Sequence, residues 1–194
     1  MNLPYPLILA STSKYRGALL AQLGWPFEAM NPGVDEAQLK SEDLSPTQLA
    51  IELAKLKALA IFKSRPEACV IGSDQVCVLN GEVLGKPGSK EKAIEQLLKM
   101  QGSHHELITA VTILSPAGEM SFHNRTLLFM RPLSVQEISR YVEEDLPLDC
   151  AGSYKLETKG IKLFEKIAMD DHTSIIGLPL IQLNNHLLKI GYPL

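Results

Sequence analysis

The sequence predicts a mixed α/β fold, one α/β unit with an antiparallel extension folded around a cleft. Three observations carry this expectation. Short apolar runs alternate with helix-period stretches through the first half of the chain. Two long strand-like runs, 107–114 and 120–130, follow, joined at Ser115-Pro116-Ala117-Gly118 as in a meander. Between these halves lies VIGSDQVCVLNGEVLGKP (70–87), where an acid and an amide interrupt apolar strand sequence.

In chain order, 6–10 reads as a buried strand, and Ser11-Thr12-Ser13 then caps a helix running to Gly24. Exposed N–H groups, hydroxyls and Arg16 at that strand-to-helix turn suit an anion, although capping alone also explains the serines. The stretch lacks the GxxxxGK[ST] pattern of a P-loop. A second strand, 25–30, leads into a loop carrying Asp35 and Glu36. Loop acids are commonly just solvated, but oxygen-ligand Mg²⁺ sites need only one or two carboxylates plus substrate phosphates. Ser45-Pro46 opens a helix with Leu49, Leu53, Leu56, Ala60 and Ile61 as its expected buried stripe. Lys55, Lys57 and Lys63 lie off that stripe.

In the central stretch, the strand from Cys69 is expected to stop at Gly72-Ser73 and to resume over 76–79. Asn80-Gly81 then predicts a type I′ hairpin turn, and Gly85-Lys86-Pro87 closes the return strand. A carboxylate flanked by strand on both sides is costly to bury unless paired or metal-bound. Asp74, Gln75 and Lys86 therefore form either a converging site or a satisfied polar kink beside a surface lysine. Ser89 caps a further helix with Ala93, Leu97, Leu98 and Met100 inward, and Ser134 to Glu137 is a capping box. A polar loop, 155–160, precedes an expected strand at 161–167. Residues 173–179 resemble a strand end and helix entry, and 180–188 form the last helix.

At 194 residues the chain suits a single domain, 1–194, with a substantial core. A formal charge of −3 argues against non-specific binding to nucleic acid, while leaving a nucleotide in a local pocket open. No apolar run reaches membrane-spanning length and the N-terminus carries no leader pattern, so a cytoplasmic protein is expected. Cys69 and Cys77 read as buried small hydrophobes, and the three cysteines have no CxxC spacing. His104-His105 would point to opposite faces of a strand, and suit an exposed turn better than a metal site.

The stretches LILASTSKYRGALL, VDE, LAKLKA, IGSDQVCVLNGEVLGKP, CAGSYKLETKG and IIGLPL occur in this order along nearly the whole chain. Together they resemble the Maf family of nucleotide pyrophosphatases. Gln75 and Glu157 resemble the YceF-type branch, acting on 7-methyl-GTP, rather than the branch acting on dTTP and UTP, which has Thr and Gln there. The resemblance implies an ITPase-like (Maf/Ham1) mixed twisted sheet flanked by helices, with two lobes around a cleft, often dimeric. It implies hydrolysis of 7-methyl-GTP to 7-methyl-GMP and pyrophosphate with a divalent metal cation (Mg²⁺, Mn²⁺ or Co²⁺), removing a modified nucleotide from the pool. Carried over by position, Asp74 is the proton acceptor, and Glu36 and Asp74 are the metal-site acids. Ser11, Arg16, Lys57 and Lys86 contact phosphates, while Tyr15, Gln75 and Glu157 fall where substrate is chosen. The branch pattern usually has Trp where this chain has Tyr15.

Two other classes of function compete with this one. Maf-like proteins are also linked to septation arrest, so a nucleotide-binding regulator of cell division is the alternative. An intact acid, amide and lysine set favours the enzyme, because a binder has no need of a base. A phosphatase of another small metabolite is the third class, and its product would be orthophosphate.

Overall fold

A computed structural model describes residues 3–40 and 43–194, without the side chains of Gln38 and Lys40. These residues fall into two compact units, and the boundary passes between Asp74 and Gln75. The first comprises the described residues up to 74 together with 109–124 and 171–194, the second 75–108 and 125–170.

In the first unit, strand β1 (Leu7–Leu9) pairs in parallel with β2 (Phe27–Ala29) on one side and β3 (Cys69–Leu79) on the other. Helix α1 (Lys14–Ala21) follows β1, with Ser13 as its N-cap. A short helix α2 (Ala37–Lys40) precedes α3 (Pro46–Phe62), whose capping box joins Ser45 and Gln48. The period-2 geometry of a strand divides the core between two faces. Leu7, Leu9, Cys69 and Ile71 pack with Leu19 and Leu20 of α1 and with Leu183 and Leu187 of the last helix. Ile8, Ala10 and Val70 pack with Ala58 and Ile61 of α3. The sheet is thus covered by helices on both sides, as buried parallel strands require.

Strand β3 departs from expectation. It runs unbroken from Cys69 to Leu79 and does not stop at Gly72-Ser73. Ser73 is fully buried, and its hydroxyl donates to the Gly177 carbonyl at 2.8 Å, so a polar residue is accommodated within the strand. Gly72 lies against α3, where a Cβ would fall on the Ala54 carbonyl oxygen and 2.7 Å from the Ala58 nitrogen. The same close approach revises the α3 stripe: Ala50, Ala54 and Ala58 are fully buried, whereas Leu56 and Ala60 are half-buried.

In the second unit, β4 (Glu82–Leu84) returns antiparallel to β3 through Asn80 and Gly81, which have φ of 51° and 85° as a type I′ turn demands. Helix α4 (Lys90–Met100) packs on α5 (Val135–Asp145) through an inner face that includes Ala93, Leu97, Ile138 and Val142, while Leu98 is only half-buried. Strands β5 (His104–Ser115) and β6 (Gly118–Met130) form the expected meander, and β7 (Phe164–Ala168) pairs antiparallel with β6. Residues 161–163, expected at the start of a strand, belong instead to a 3-10 turn, Lys159–Leu163, and the strand begins at Phe164. The hydrogen-bonded strand order is β2-β1-β3-β5-β6-β7, with β4 on β3. The last helix is α6 (Leu180–Lys189). No helix among the described residues is long and apolar enough to cross a membrane.

Burial pushes the Cys69 and Cys77 thiols up to about 12, as inert core residues. The His pair is not in a turn: both lie in β5, His104 exposed and His105 buried. His105 Nε2 bonds the Tyr154 hydroxyl at 2.9 Å, and the ring packs against Phe164. Burial, then the neighbouring His104, lowers its pKa to about 4. The folded protein keeps this ring neutral, whereas the unfolded chain takes up a proton below its ordinary value near 6.5. Its contribution is therefore present above that value and declines as pH falls toward 4. Between about pH 7.5 and about pH 5 the expected loss is about 2 kcal/mol. Denaturant titrations at the two pH values test this, and His105→Gln, which keeps a partner for Tyr154, should show a smaller difference between them.

Candidate active site

The parallel half of the sheet delivers Asp74 to the first unit's α3 side. Alternation along β3 sends Val70, Gly72 and Asp74 to the face covered by α3, and Ile71 and Ser73 to the other. Asp74, 9% exposed, thereby meets Lys57, which stands beside Ala58 on α3. Lys57 Nζ lies 2.5 Å from Asp74 Oδ1 and 2.8 Å from Glu36 Oε1. The Lys57 and Asp74 side chains are only 12% and 13% exposed, so the pair is largely removed from solvent screening. Two carboxylates from separate segments thus converge on one cationic nitrogen.

Arg16 enters from the first turn of α1 and donates from Nε to the Gly177 carbonyl at 3.0 Å. Burial lowers the guanidinium below its usual range, and the Asp74 and Glu36 carboxylates oppose that shift. Arginine stays charged through such a shift. Ser11, buried at the end of β1, accepts a bond from the Ser13 amide at 3.1 Å, which shapes the turn leading to Arg16. Tyr15 on the same turn is 47% exposed, so its ring is open to solvent on the surface of the first unit.

The remaining expected site residues belong to the second unit. Gln75 follows Asp74 on β3 and is half-buried, and Lys86 is exposed beyond β4. Glu157 is exposed at the tip of a tightly held loop. The Lys155 carbonyl accepts from the Gly160 and Thr158 amides at 3.0 and 3.3 Å and from the Thr158 hydroxyl at 3.1 Å. Lys155 Nζ caps the end of α5 through the Asp145 and Leu146 carbonyls. Lys155 is therefore an anchor of that loop.

Reading the sequence alone missed Gly72, Ser73 and Gly177 as parts of this arrangement. A glycine inside an apolar strand, opposite a helix rich in alanine, is the signal that points to Gly72. For Ser73 and Gly177 no local signal exists, because their partners are distant in the chain.

A sheet covered by helices on both faces, with Lys57 held between two carboxylates and Arg16 within their electrostatic reach, defines an α/β protein with a charged cluster on the α3 side of its central strand. The chain belongs to the Maf family, whose profile, Maf-like protein, matches residues 6–190. The 7-methyl-GTP pyrophosphatase of Bdellovibrio bacteriovorus is 46% identical to it, over 91% of this chain and 93% of that protein. The 7-methyl-GTP pyrophosphatase of Xanthomonas axonopodis pv. citri is 45% identical, over 96% and 97%. Among solved structures, the Staphylococcus aureus Ham1 protein matches 93% of this chain and 98% of its own, with a TM-score of 0.52 and 17% identity. That likeness is one of fold, and it agrees with the mixed, helix-flanked sheet expected from the sequence.

Proposed function

We propose that this chain is a nucleoside triphosphate pyrophosphatase that hydrolyses 7-methyl-GTP to 7-methyl-GMP and pyrophosphate. The observation that carries the chemistry is the convergence of Asp74 and Glu36 on Lys57, with Arg16 near enough for both carboxylates to favour its charged form. The names of relatives about 45% identical over nearly the whole chain support the choice of substrate. A triphosphate brings roughly four negative charges, which must be offset before a nucleophile can approach phosphorus. Arg16 and Lys57 of the first unit supply cations for this task and Ser11 a hydroxyl, and the family resemblance adds Lys86. Asp74 orients a water and takes its proton as the oxygen attacks the α-phosphorus. The bond from that phosphorus to the bridging oxygen breaks, and pyrophosphate leaves.

The donor set also fits a divalent cation. Glu36 and Asp74 hold two carboxylate oxygens close together around the Lys57 ammonium, which a divalent cation would have to displace or adjoin, and Mg²⁺ is typically held by one or two carboxylates plus substrate phosphates. No cluster of three His, Cys, Asp or Glu suited to a metal occurs among the described residues, so phosphate oxygens would complete the shell. Such an ion supplies Lewis-acid stabilisation of charge on the phosphates. The family resemblance further supports a cytoplasmic location and a homodimer, and light scattering of the purified protein tests the latter.

A panel of nucleotides with Mg²⁺, Mn²⁺ or Co²⁺, assayed for pyrophosphate against orthophosphate, tests the reaction. Pyrophosphate from 7-methyl-GTP at a higher kcat/KM than from GTP is the expected result. Orthophosphate as sole product, or equal rates on both nucleotides, would overturn the reaction or the substrate choice respectively.

Methylation at N7 makes the purine cationic, and stacking on an aromatic face such as Tyr15 is worth roughly 0.5–2 kcal/mol. We assign Glu157 to the guanine edge, where a charge-assisted hydrogen bond is worth roughly 1.5–3 kcal/mol. Glu157→Gln should therefore narrow the preference for 7-methyl-GTP over GTP by roughly tenfold while keeping catalysis. An unchanged ratio of the two kcat/KM values would remove Glu157 from base choice.

A further inference from the structure

The IIGLPL stretch (175–180) has no role in the chemistry above, yet the residues that lead into it are held by a dense set of hydrogen bonds. Asp171, 1% exposed, accepts at Oδ1 from the Thr173 amide (3.0 Å) and hydroxyl (2.6 Å), and at Oδ2 from the Ile181 amide (2.8 Å). Thr173 Oγ1 in turn accepts from the Leu180 amide at 2.7 Å. These two side chains cap α6, since Pro179 at its N-cap position provides no side-chain bond. Ser174 is tied down twice, by its hydroxyl to the Asp171 carbonyl and by its own carbonyl to the Thr109 hydroxyl.

Capping accounts for Asp171 and Thr173 but not for what the turn holds at its far end. Gly177 has φ of 113°, and its carbonyl accepts from both Arg16 Nε (3.0 Å) and Ser73 Oγ (2.8 Å). A Cβ at this position would lie 3.2 Å from Arg16 Nε and 3.6 Å from Nη2. The bond uses one of the five N–H donors of the guanidinium, and Ser73 immediately precedes Asp74.

We propose that the Asp171–Gly177 turn is a positioning device, in which the Gly177 carbonyl fixes the Arg16 guanidinium and ties it to Ser73, the residue that precedes Asp74 in β3. Gly177 and Ser73 are positioning residues and act through Arg16. The proposal rests on the reading of Arg16 as a phosphate-binding group. A rigid carbonyl holding Nε sets the direction of the fork, so phosphate meets an arginine that needs no reordering on binding.

The test is a double-mutant cycle on pyrophosphate release from 7-methyl-GTP. Gly177→Ala adds a methyl against Nε in a backbone conformation that alanine rarely adopts. It should raise KM roughly tenfold, with a smaller change in kcat. In an Arg16→Met background the same substitution should change KM little, because the group it acts through is gone. A lowered Tm with unchanged kinetics, or a full effect in both backgrounds, would overturn the proposal. If Gly177→Ala does not fold, Ser73→Ala, which removes only the second bond to the carbonyl, decides the matter. A raised KM that disappears with Arg16→Met supports the proposal, and an unchanged KM overturns it. Wild-type protein that releases no pyrophosphate counts against the underlying function, whereas active wild type with unaffected variants counts against the turn.

Discussion

Asp74→Asn is expected to lower turnover at least ~100-fold while leaving the chain folded, the scale of losing a positioned base. Asparagine nearly matches aspartate in shape but takes no proton from water and is a poor ligand for a divalent cation. The fold should tolerate it because Lys57 retains Glu36, 2.8 Å from its ammonium, and no buried charge is left without a partner. Initial rates of pyrophosphate release, together with thermal melts of both proteins, provide the check. Near-normal turnover in a folded variant would remove Asp74 from the chemistry.

What the sequence made legible was local. Ser13, Ser45-Pro46 and Ser134 cap helices where expected, since a cap is a bond between residues three apart. Asn80-Gly81 turns the hairpin through its own backbone preference. Errors arose where tertiary contacts override such preferences. Gly72-Ser73 resembles a break because both residue types favour turns, yet Ser73 finds its partner 104 positions away and Gly72 admits a helix. His105 looked like a turn residue and is instead a neutral core group held by Tyr154.

The site divides in the same way. An acid inside strand sequence marked Asp74, and hydroxyls before a helix marked the turn bearing Arg16. That Glu36 and Lys57 meet Asp74 joins a loop, a helix and a strand, and no spacing announces it. Family resemblance named these residues, and the geometry of the first unit brings them together. For Gln75, Lys86 and Glu157 the resemblance remains the support, which gives the Glu157→Gln comparison its value.

Gly72→Ala should destabilise the protein by ~2–3 kcal/mol or more, and should lower turnover as well. The added Cβ would meet the Ala54 carbonyl and the Ala58 amide, which belong to a helix backbone and cannot swing aside as a side chain end would. Helix α3 must therefore shift outward from β3, carrying Lys57 away from Asp74. An ångström of misplacement in a reacting group can cost ~100-fold in rate, so catalysis should fall even under conditions where the variant is fully folded. Gly17→Ala is the matched comparison: it lies in α1, its φ is not positive, and a Cβ there meets nothing within 4 Å. It should stabilise by about 0.5–1 kcal/mol, because alanine favours helix over the unfolded chain more than glycine does. Denaturant midpoints of the two variants should thus move in opposite directions from wild type. If Gly72→Ala melted like the wild type and turned over normally, the close approach of α3 to β3 would not be what sets Lys57 against Asp74.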